Sequence, residues 1–430
     1  MITPSGLTIS QYNDILALDK PTHARVTFTL ENVVFEDEEL EYGGGIKVTS
    51  YMNPDDEMKF GTAFCKEVVL HFVRSEKTDN LNWTGEFKLE FGVDSGNTVN
   101  WITIGFFTGK RPTWDRRNTI ELLAHDRMKR FDISADDFLQ NLTYPCTMQD
   151  IYDALCVFVG ATNTTGDEIS TVMEYEYSEA PKFKTGMTCR QLLSVIAVAN
   201  CCYARITNGG NVQLFWYHNH ENDYRLDWDG CFDLDITDLQ LHNRYKWRDL
   251  EDKQYSDVEN VTYGYFDAEN NESLDIRSLC FDWTEGEEEI FVSVPPEIET
   301  LTDVWNAMKQ YAWGFVKQYT WEFVKNTSGS GNTYTVINNP LIYHDTEEEI
   351  AEHLLLMLNR LYGFSISFVA KISAVGNWLV ETGDIIQLEV KRRELFAKYP
   401  IFNQIINWNG ACGNEYETTG NISRETVYIE

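Results

Sequence analysis

The sequence predicts an α+β fold that is rich in β-strand, because two hydrophobic periods alternate along the chain. Polar and apolar residues alternate with period two over 25–30, 86–91 and 119–123, which places one face of a strand on a core and the other in water. Helical spacing replaces this pattern in the segments that follow Thr147 and Thr188. A length of 430 residues suggests about three domains.

The first 140 or so residues are predicted to form an antiparallel β-domain. Its strands are separated by turn-like segments at 43–45, 53–56 and 94–97, which are rich in Gly, Asn, Asp and Pro. These residues accept the backbone angles that tight turns require. A compact α/β unit is predicted next, over about 145–218.

Two helices and a hairpin make up that α/β unit. Thr147 and Thr188 are predicted helix N-caps, since a threonine hydroxyl accepts from a free amide of the first turn. The second helix is apolar on almost every side and must be buried. Strands at 203–206 and 212–217 flank Asn-Gly-Gly-Asn at 208–211, a typical hairpin turn.

The remainder of the chain mixes both patterns. Strands are predicted over 257–266 and 289–294, and apolar residues at helical spacing follow over 301–315. A capping box at 346–349 opens a predicted helix over 350–361. From 365 to 430 the pattern is again that of strands and turns.

The charge balance disfavours stable nucleic-acid binding. With 68 acidic and 35 basic side chains the formal charge is −33, and such a surface repels phosphate. Basic residues cluster at 116–117, 127–130 and 391–393, and we interpret them as partners of neighbouring acids. DNA passing by the surface remains compatible with this charge.

Cysteines and hydropathy indicate a chain made and kept in a reducing cytoplasm. The nine cysteines include no Cys-x-x-Cys pair, so free thiols are expected rather than a disulfide framework or a zinc site. The N-terminus shows no basic region followed by an apolar stretch, and we expect no signal peptide. The longest helix-like apolar run, 192–199, is far shorter than a membrane span.

Candidate chemistry is sparse. His218 and His220 share a strand face, but two ligands without a supporting pair do not make a zinc site. The segment at Asp227 resembles part of a calcium loop, although Arg225 and Ile236 stand at ligand positions of an EF-hand and exclude one; a looser calcium site stays open. Acidic runs at 36–39, 285–289 and 347–349 are interpreted as solvated faces rather than paired catalytic carboxylates.

Three groups of motifs, in a fixed order, resemble a known family. The first lies at 61–72, 104–114 and 118–128, the second at 144–147, 186–197 and 203–206 with its hairpin, and the third at 377–386 and 402–410. Their order and spacing resemble the hub proteins at the distal end of phage tails. That family contains the N-terminal region of siphophage tail-associated lysins and the central baseplate hub of contractile tails. The resemblance covers roughly residues 20–415.

The resemblance implies a homotrimer in which each chain has two tube-like antiparallel β-barrel domains. The first barrel would be 1–143, and the second would be split between 219–295 and 364–430. An α/β domain (144–218) and a helix-containing segment (296–363) would be insertions. Three chains would then present six similar barrels to a six-fold tail tube.

The residues that carry the resemblance are expected to shape the backbone, and none is expected to take part in catalysis. Turns, caps and strand ends explain all of them; Trp408 is expected to pack its indole at a strand end. This structural signature consists of Gly61, Gly109, Pro112, Asp126, Thr188, Gly383, Asp384, Trp408 and Gly410.

The resulting expectation is a structural protein of the virion tail tip or baseplate, assembled in the host cytoplasm, without a cofactor and without enzymatic activity. Its expected partners are distal tail, tail tube and tape measure proteins, and tail fibre or receptor-binding proteins. DNA would pass through the ring without binding stably. The alternatives are a tail-associated cell-wall hydrolase and a carbohydrate-binding adhesin, the latter favoured by 22 Tyr and 12 Trp.

Overall fold

A computed structural model provides the architecture of most of the first half of the chain and of separate segments beyond it. The described residues are 20–41, 45–52, 57–58, 61–95, 98–114, 118–164, 171–215, 224–227, 231–236, 260–267, 272–281, 319–322, 333–337, 339–342, 349–350, 352–354, 357, 370–375, 377–390, 395–417, 421–422 and 425–427.

Strands dominate the described residues. Strands β1 to β9 are Thr22–Phe28, Val33–Glu36, Ile46–Tyr51, Glu57–Met58, Glu67–Val73, Glu86–Ser95, Thr98–Gly109, Thr113–Trp114 and Thr119–Asp126. Strands β10 to β13 are Cys146–Thr147, Glu176–Tyr177, Tyr203–Ile206 and Val212–Phe215. Strands β14 to β26 are Tyr224–Asp227, Cys231–Ile236, Asn260–Asp267, Glu272–Phe281, Tyr319–Glu322, Thr333–Ile337, Ala370–Val375, Ile385–Val390, Leu395–Pro400, Asn403–Trp408, Cys412–Glu417, Asn421–Ile422 and Glu425–Val427.

Helices are few among the described residues, and the two longest begin at the predicted caps. Helices α1 to α5 are Asp37–Glu41, Glu76–Asp79, Asp136–Gln140, Met148–Phe158 and Cys189–Ala199, and 3-10 turns cover Arg127–Phe131 and Thr171–Glu174. Thr147 and Thr188 each form a capping box, with Asp150 and Gln191 respectively. No helix in this part of the chain is long and apolar enough to cross a membrane.

The largest sheet joins strands from both ends of the chain. Its order is β15-β20-β24-β23-β3-β5-β9-β7-β6-β1-β2, with β8 paired to β9. Every pairing in it is antiparallel, and β23 joins β3 in a register that runs from Ile46 opposite Trp408 to Tyr51 opposite Asn403. The prediction of a β-rich α+β fold is therefore confirmed.

The described residues also form smaller sheets. A five-stranded sheet has the order β18-β17-β16-β19-β26, and a three-stranded sheet has the order β14-β21-β22. The predicted hairpin is present as β12 and β13, with Gly210 at a φ of +84° in its turn. Glycine reaches this left-handed conformation without steric cost.

One hydrophobic core lies under the large sheet and includes two tryptophans from the C-terminal region. Trp378 and Trp408 are each 1% exposed, and the Trp378 ring meets the Phe91 ring edge-on at 5.9 Å. Burying side chains of this size contributes several kcal/mol. The C-terminal segments thus complete the core of the sheet that the N-terminal strands begin.

A second core surrounds α5 and α4. Most α5 side chains are buried, including Leu192, Leu193 and Ile196 at 0% exposure, as its apolar sequence predicts. Residues of 339–342 and 352–354 pack on it: Asn339 donates to the Val195 carbonyl at 3.0 Å, and His353 Nε2 lies 2.6 Å from the Ala199 carbonyl. Seven cysteines whose side chains are described are free thiols.

Candidate functional site: a buried charge junction between three segments

Five ionisable side chains from three distant parts of the chain meet where the two cores adjoin. We call this cluster the charge junction; it consists of Lys66, Asp126, Arg205, Glu381 and Asp384, none more than 11% exposed by its side chain or residue. Such a group is stable only if each charge is paired or hydrogen-bonded. Its contacts therefore show what holds the three segments together.

Asp126 is the last residue of strand β9 in the large sheet. Its carboxylate accepts from the backbone N–H of Lys66 and of Met128, both at 3.0 Å, and from the thiol of Cys65 at 3.1 Å. Burial raises the pKa of the Asp126 carboxyl, while the Lys66 amide acts in the opposite direction. Burial and the Asp126 charge also raise the pKa of the Cys65 thiol, so this thiol is not an activated nucleophile.

Lys66 links the sheet to the other two segments. Its Nζ donates to Asn208 Oδ1 at 2.8 Å, in the β12–β13 hairpin, and lies 3.1 Å from Glu381 Oε1. The same Glu381 oxygen accepts from the backbone N–H of Asn208 at 2.8 Å. One carboxylate therefore holds both the sheet lysine and the hairpin turn.

Arg205, on β12, makes the most contacts with the C-terminal segment. Its guanidinium donates to the Thr382 carbonyl at 2.9 Å and lies 3.4 Å from Asp384 Oδ1 and 3.5 Å from Glu381 Oε2. Its planar group also stacks 3.8 Å from the centre of the Phe215 ring. Arg205 thus ties the α/β unit to the turn that precedes β21.

The ionisation of these groups follows from burial and mutual attraction. Burial raises the pKa of Asp384 to about 6, although the Arg205 charge favours its ionised form. Burial alone would also raise the pKa of Glu381, but Lys66 and Arg205 hold it below its ordinary value. Burial opposes the charged form of Arg205, and the two carboxylates nevertheless hold the pKa of Arg205 above its ordinary value.

The turn at 381–384 requires a glycine. Gly383 has a φ of +97°, and a Cβ there would lie 1.5 Å from the hydroxyl oxygen of Tyr203. Asp384 fixes the turn by accepting from the backbone N–H of Glu381 at 2.8 Å. The signature pair Gly383 and Asp384 therefore both lie at the junction, as does Asp126.

Other signature residues lie at close approaches near the junction. Gly61 donates its backbone N–H to the Cys202 carbonyl at 2.7 Å, and a Cβ at Gly61 would lie 2.1 Å from Val198. A Cβ at Gly109 would lie 1.9 Å from the Trp83 carbonyl oxygen. Both glycines admit a second chain segment where a side chain would exclude it.

The remaining signature residues are placed elsewhere. Thr188 caps α5, and Trp408 with Gly410 ends β23 and turns into β24, with Gly410 at a φ of +78°. Pro112 lies between β7 and β8. These four lie at a helix cap, a strand end or a connection between strands and do not belong to the charge junction.

Sequence reasoning missed Lys66, Arg205 and Glu381. Arg205 had a detectable signal, because it is a charged residue in a four-residue strand whose other positions are apolar, and all four positions are buried. A charge in such a strand needs a buried partner. The partner itself, about 175 residues away, left no local signal.

A second ionic cluster explains one of the basic runs. Glu86 accepts from Arg127 at 2.8 Å and from Arg130 at 2.7 Å. The arginines also donate to the carbonyls of Gly210 and Gly160. The interpretation of the 127–130 run as local ion-pair partners is confirmed.

Within the described ranges, no group of three or more His, Cys, Asp or Glu side chains is arranged to hold a metal ion. The candidates His218 and His220, residues 228–230 of the calcium-like segment and the acidic run at 285–289 lie outside those ranges. The acidic run at 36–39 leads into α1, a helix with acids throughout its first turn.

Comparisons with known proteins give matches among solved structures alone. No protein-family model matches the chain, and no curated protein sequence matches it. A tail protein from Neisseria meningitidis is similar with a TM-score of 0.49 at 11% identity, over 93% of this chain and 96% of that one. The 43 kDa tail protein of prophage MuSo2 from Shewanella oneidensis is similar with a TM-score of 0.44 at 13% identity, over 93% of this chain and 98% of that one.

Prophage tail protein gp18 from Listeria monocytogenes has a TM-score of 0.43 at 10% identity, over 92% of this chain and 94% of that one. Baseplate structures are among the more distant matches. Several of the matching structures are tail, prophage tail or baseplate proteins, and another is a component of a type VI secretion system of E. coli. Tail and baseplate proteins are the class that the sequence motifs resemble, but at these identities and TM-scores the similarity says nothing about what this chain binds.

Proposed function

We propose that the chain is a structural hub at the distal end of a phage tail or a phage-derived tail. The observation that carries this proposal is the charge junction. Residues of the hub-like motifs, Asp126, Gly383 and Asp384, meet there and tie the sheet, the α/β unit and the C-terminal segment to one another. Their polar atoms are engaged in structural contacts, which suits a component that must keep its shape within an assembly.

In this proposal the chain forms a homotrimeric ring. Each subunit contributes two β-barrel domains, so that six similar barrels meet the six-fold tail tube. The α/β domain and the helix-containing segment are insertions between the parts of the barrels. The ring joins the tube to the tip, with distal tail, tail tube and tape measure proteins as neighbours, and fibre or receptor-binding proteins as further partners.

The acidity of the chain has a role in such a ring. Three chains of −33 carry about −99 in total. Carboxylates facing the channel would repel a passing DNA polyanion and keep it from adhering to the wall. In a map of the assembled ring, a channel lined by acids supports this role, whereas a neutral or basic lining would remove it and leave the assembly role intact.

Negative-stain imaging tests the hub proposal. The full-length chain, purified alone and with the tail tube and distal tail proteins from the same genome, should form three-fold rings that cap tubes. A chain that stays monomeric at high concentration and binds no tail protein would contradict the proposal. Zymography on host peptidoglycan separates it from the hydrolase alternative, since we expect no clearing.

A further inference from the structure

A pocket of about 460 Å³ opens on the outer face of the sheet at its β2 edge. Residues opposite one another in the β2-β1-β6 register form its floor: Arg25 faces both Glu36 and Glu90, and Thr27 faces Lys88. Alternate residues of a strand share one face, so Arg25 and Thr27 point into the same space. The volume falls in the range of small-ligand sites.

The charges in this pocket are already paired with one another. The Glu90 side chain is 7% exposed; one of its oxygens accepts from Arg25 at 2.7 and 2.9 Å, and the other accepts from Lys88 at 2.6 Å. Lys77 at the rim donates to the Val34 carbonyl at 3.0 Å and pairs with Glu39 at 2.8 Å. These contacts hold the lining side chains in place before a ligand arrives, which reduces the entropic cost of binding.

The ion pairs among the lining side chains indicate which class of ligand the pocket can bind. An anion is disfavoured, because the cations are neutralised and the acidic helix α1 begins directly after Glu36. An apolar ligand is disfavoured, because it would take the charged and hydroxyl groups of the lining out of water without offering them hydrogen bonds. Donors on Arg25 and Lys88, acceptors on Glu36 and the hydroxyl of Thr27 suit a neutral ligand whose groups both donate and accept.

We infer that this pocket binds a neutral carbohydrate. Sugar hydroxyls donate and accept hydrogen bonds at once and carry no charge, which matches a lining of paired charges and threonines. Both oxygens of Glu90 are held by cations, so this carboxylate is not free to pass a proton to a glycosidic bond. Glu36 alone then remains as a lining carboxylate, and glycoside cleavage requires a pair, so we expect binding without cleavage. The inference is independent of the hub proposal.

Saturation-transfer NMR and calorimetry on the full-length protein test the inference, with chitotriose and maltotriose as probes and a neutral glycan array as the wider screen. We expect millimolar binding that does not change between 50 and 500 mM salt. Thr27→Val keeps the shape and removes one hydroxyl, so it should weaken binding about fivefold. Thr49→Val is the matched control, since Thr49 lies half-buried on the same sheet face at β3 and outside the pocket, and it should leave binding unchanged.

A second pair of variants guards against a folding defect in the first. Lys88→Met should weaken binding about tenfold, whereas Lys47→Met, at an exposed position on β3, should have no effect. Failure of all neutral glycans to bind would overturn the inference. So would equal effects of the pocket and control variants, or salt-sensitive binding of phosphate or citrate in place of sugar.

Discussion

Replacing Arg205 with methionine tests whether the charge junction couples the α/β unit to the C-terminal segment. Methionine keeps much of the apolar stem and removes the guanidinium. Glu381 then retains Lys66 as its buried cation, and Asp384 loses the arginine that lies 3.4 Å away. Two unit charges about 3.5 Å apart attract by about 5 kcal/mol at an effective dielectric constant near 20. Since part of this is offset by desolvation, we expect a net loss of about 3–5 kcal/mol.

The loss should depend on pH. Burial raises the folded-state pKa of Asp384 to about 6, above its ordinary 3.8, so the folded chain keeps this proton between about pH 3.8 and pH 6 while the unfolded chain loses it, and stability falls as the pH rises across that window. Removing Arg205 takes away a charge that favours the ionised form. The destabilisation by Arg205→Met should therefore be larger at pH 8 than at pH 5.

Hydrogen exchange read by mass spectrometry is the suitable assay, because a chain of this size is not expected to unfold in two states. Peptides that cover 203–206 and 381–384 should exchange about 10²–10³-fold faster in Arg205→Met. Arg74→Met is the matched control, since Arg74 and its partner Asp79 are half exposed and such pairs contribute about 0–1 kcal/mol. Equal exchange at the junction peptides in the two variants would refute the coupling.

Three further changes probe local features. Gly383→Ala should destabilise the peptide that covers 381–384 by at least about 2 kcal/mol in hydrogen exchange, far more than Gly160→Ala destabilises the peptide around residue 160, because both glycines have positive φ but a Cβ meets Tyr203 in the first case and nothing within 4 Å in the second; similar losses would count against the close contact. Thr188→Ala removes the cap of α5 and should cost about 1 kcal/mol in the hydrogen exchange of peptides that cover 189–199, whereas Thr188→Ser should stay close to wild type; an equal loss in both variants would exclude capping. Burial lowers the pKa of His353 to about 4 from 6.5. Between these values only the unfolded chain binds a proton on this histidine, so stability falls as the pH is lowered from 6.5 to 4. In hydrogen exchange measured between pH 6.5 and pH 4, His353→Gln should remove up to about 3 kcal/mol of this loss from the peptides that cover 189–199, and an unchanged pH profile would contradict it.

Local features of the fold were predictable because their causes are local. The hairpin at 203–215 was predicted from an Asn-Gly-Gly-Asn turn between alternating strands, and α5 from a threonine cap before an apolar run. In both cases the determining contacts lie within a few residues. Hydrophobic period and capping chemistry were therefore enough.

Long-range pairing was not predictable in the same way. β3 pairs with β23 across more than 350 residues, and no turn or spacing signal links two strands at that separation. The charge junction depends on the same kind of contact, since Arg205 meets Glu381 and Asp384 through the tertiary fold. The division of the chain into two barrels and two insertions stays a prediction.

The most direct measurement of the central claim is the mass of the intact assembly. Native mass spectrometry of the 430-residue chain at micromolar concentration should show a trimer of about 149 kDa, three times 49.8 kDa. A monomer of 49.8 kDa that persists when the tail tube and distal tail proteins are added would contradict the proposal of a trimeric tail hub.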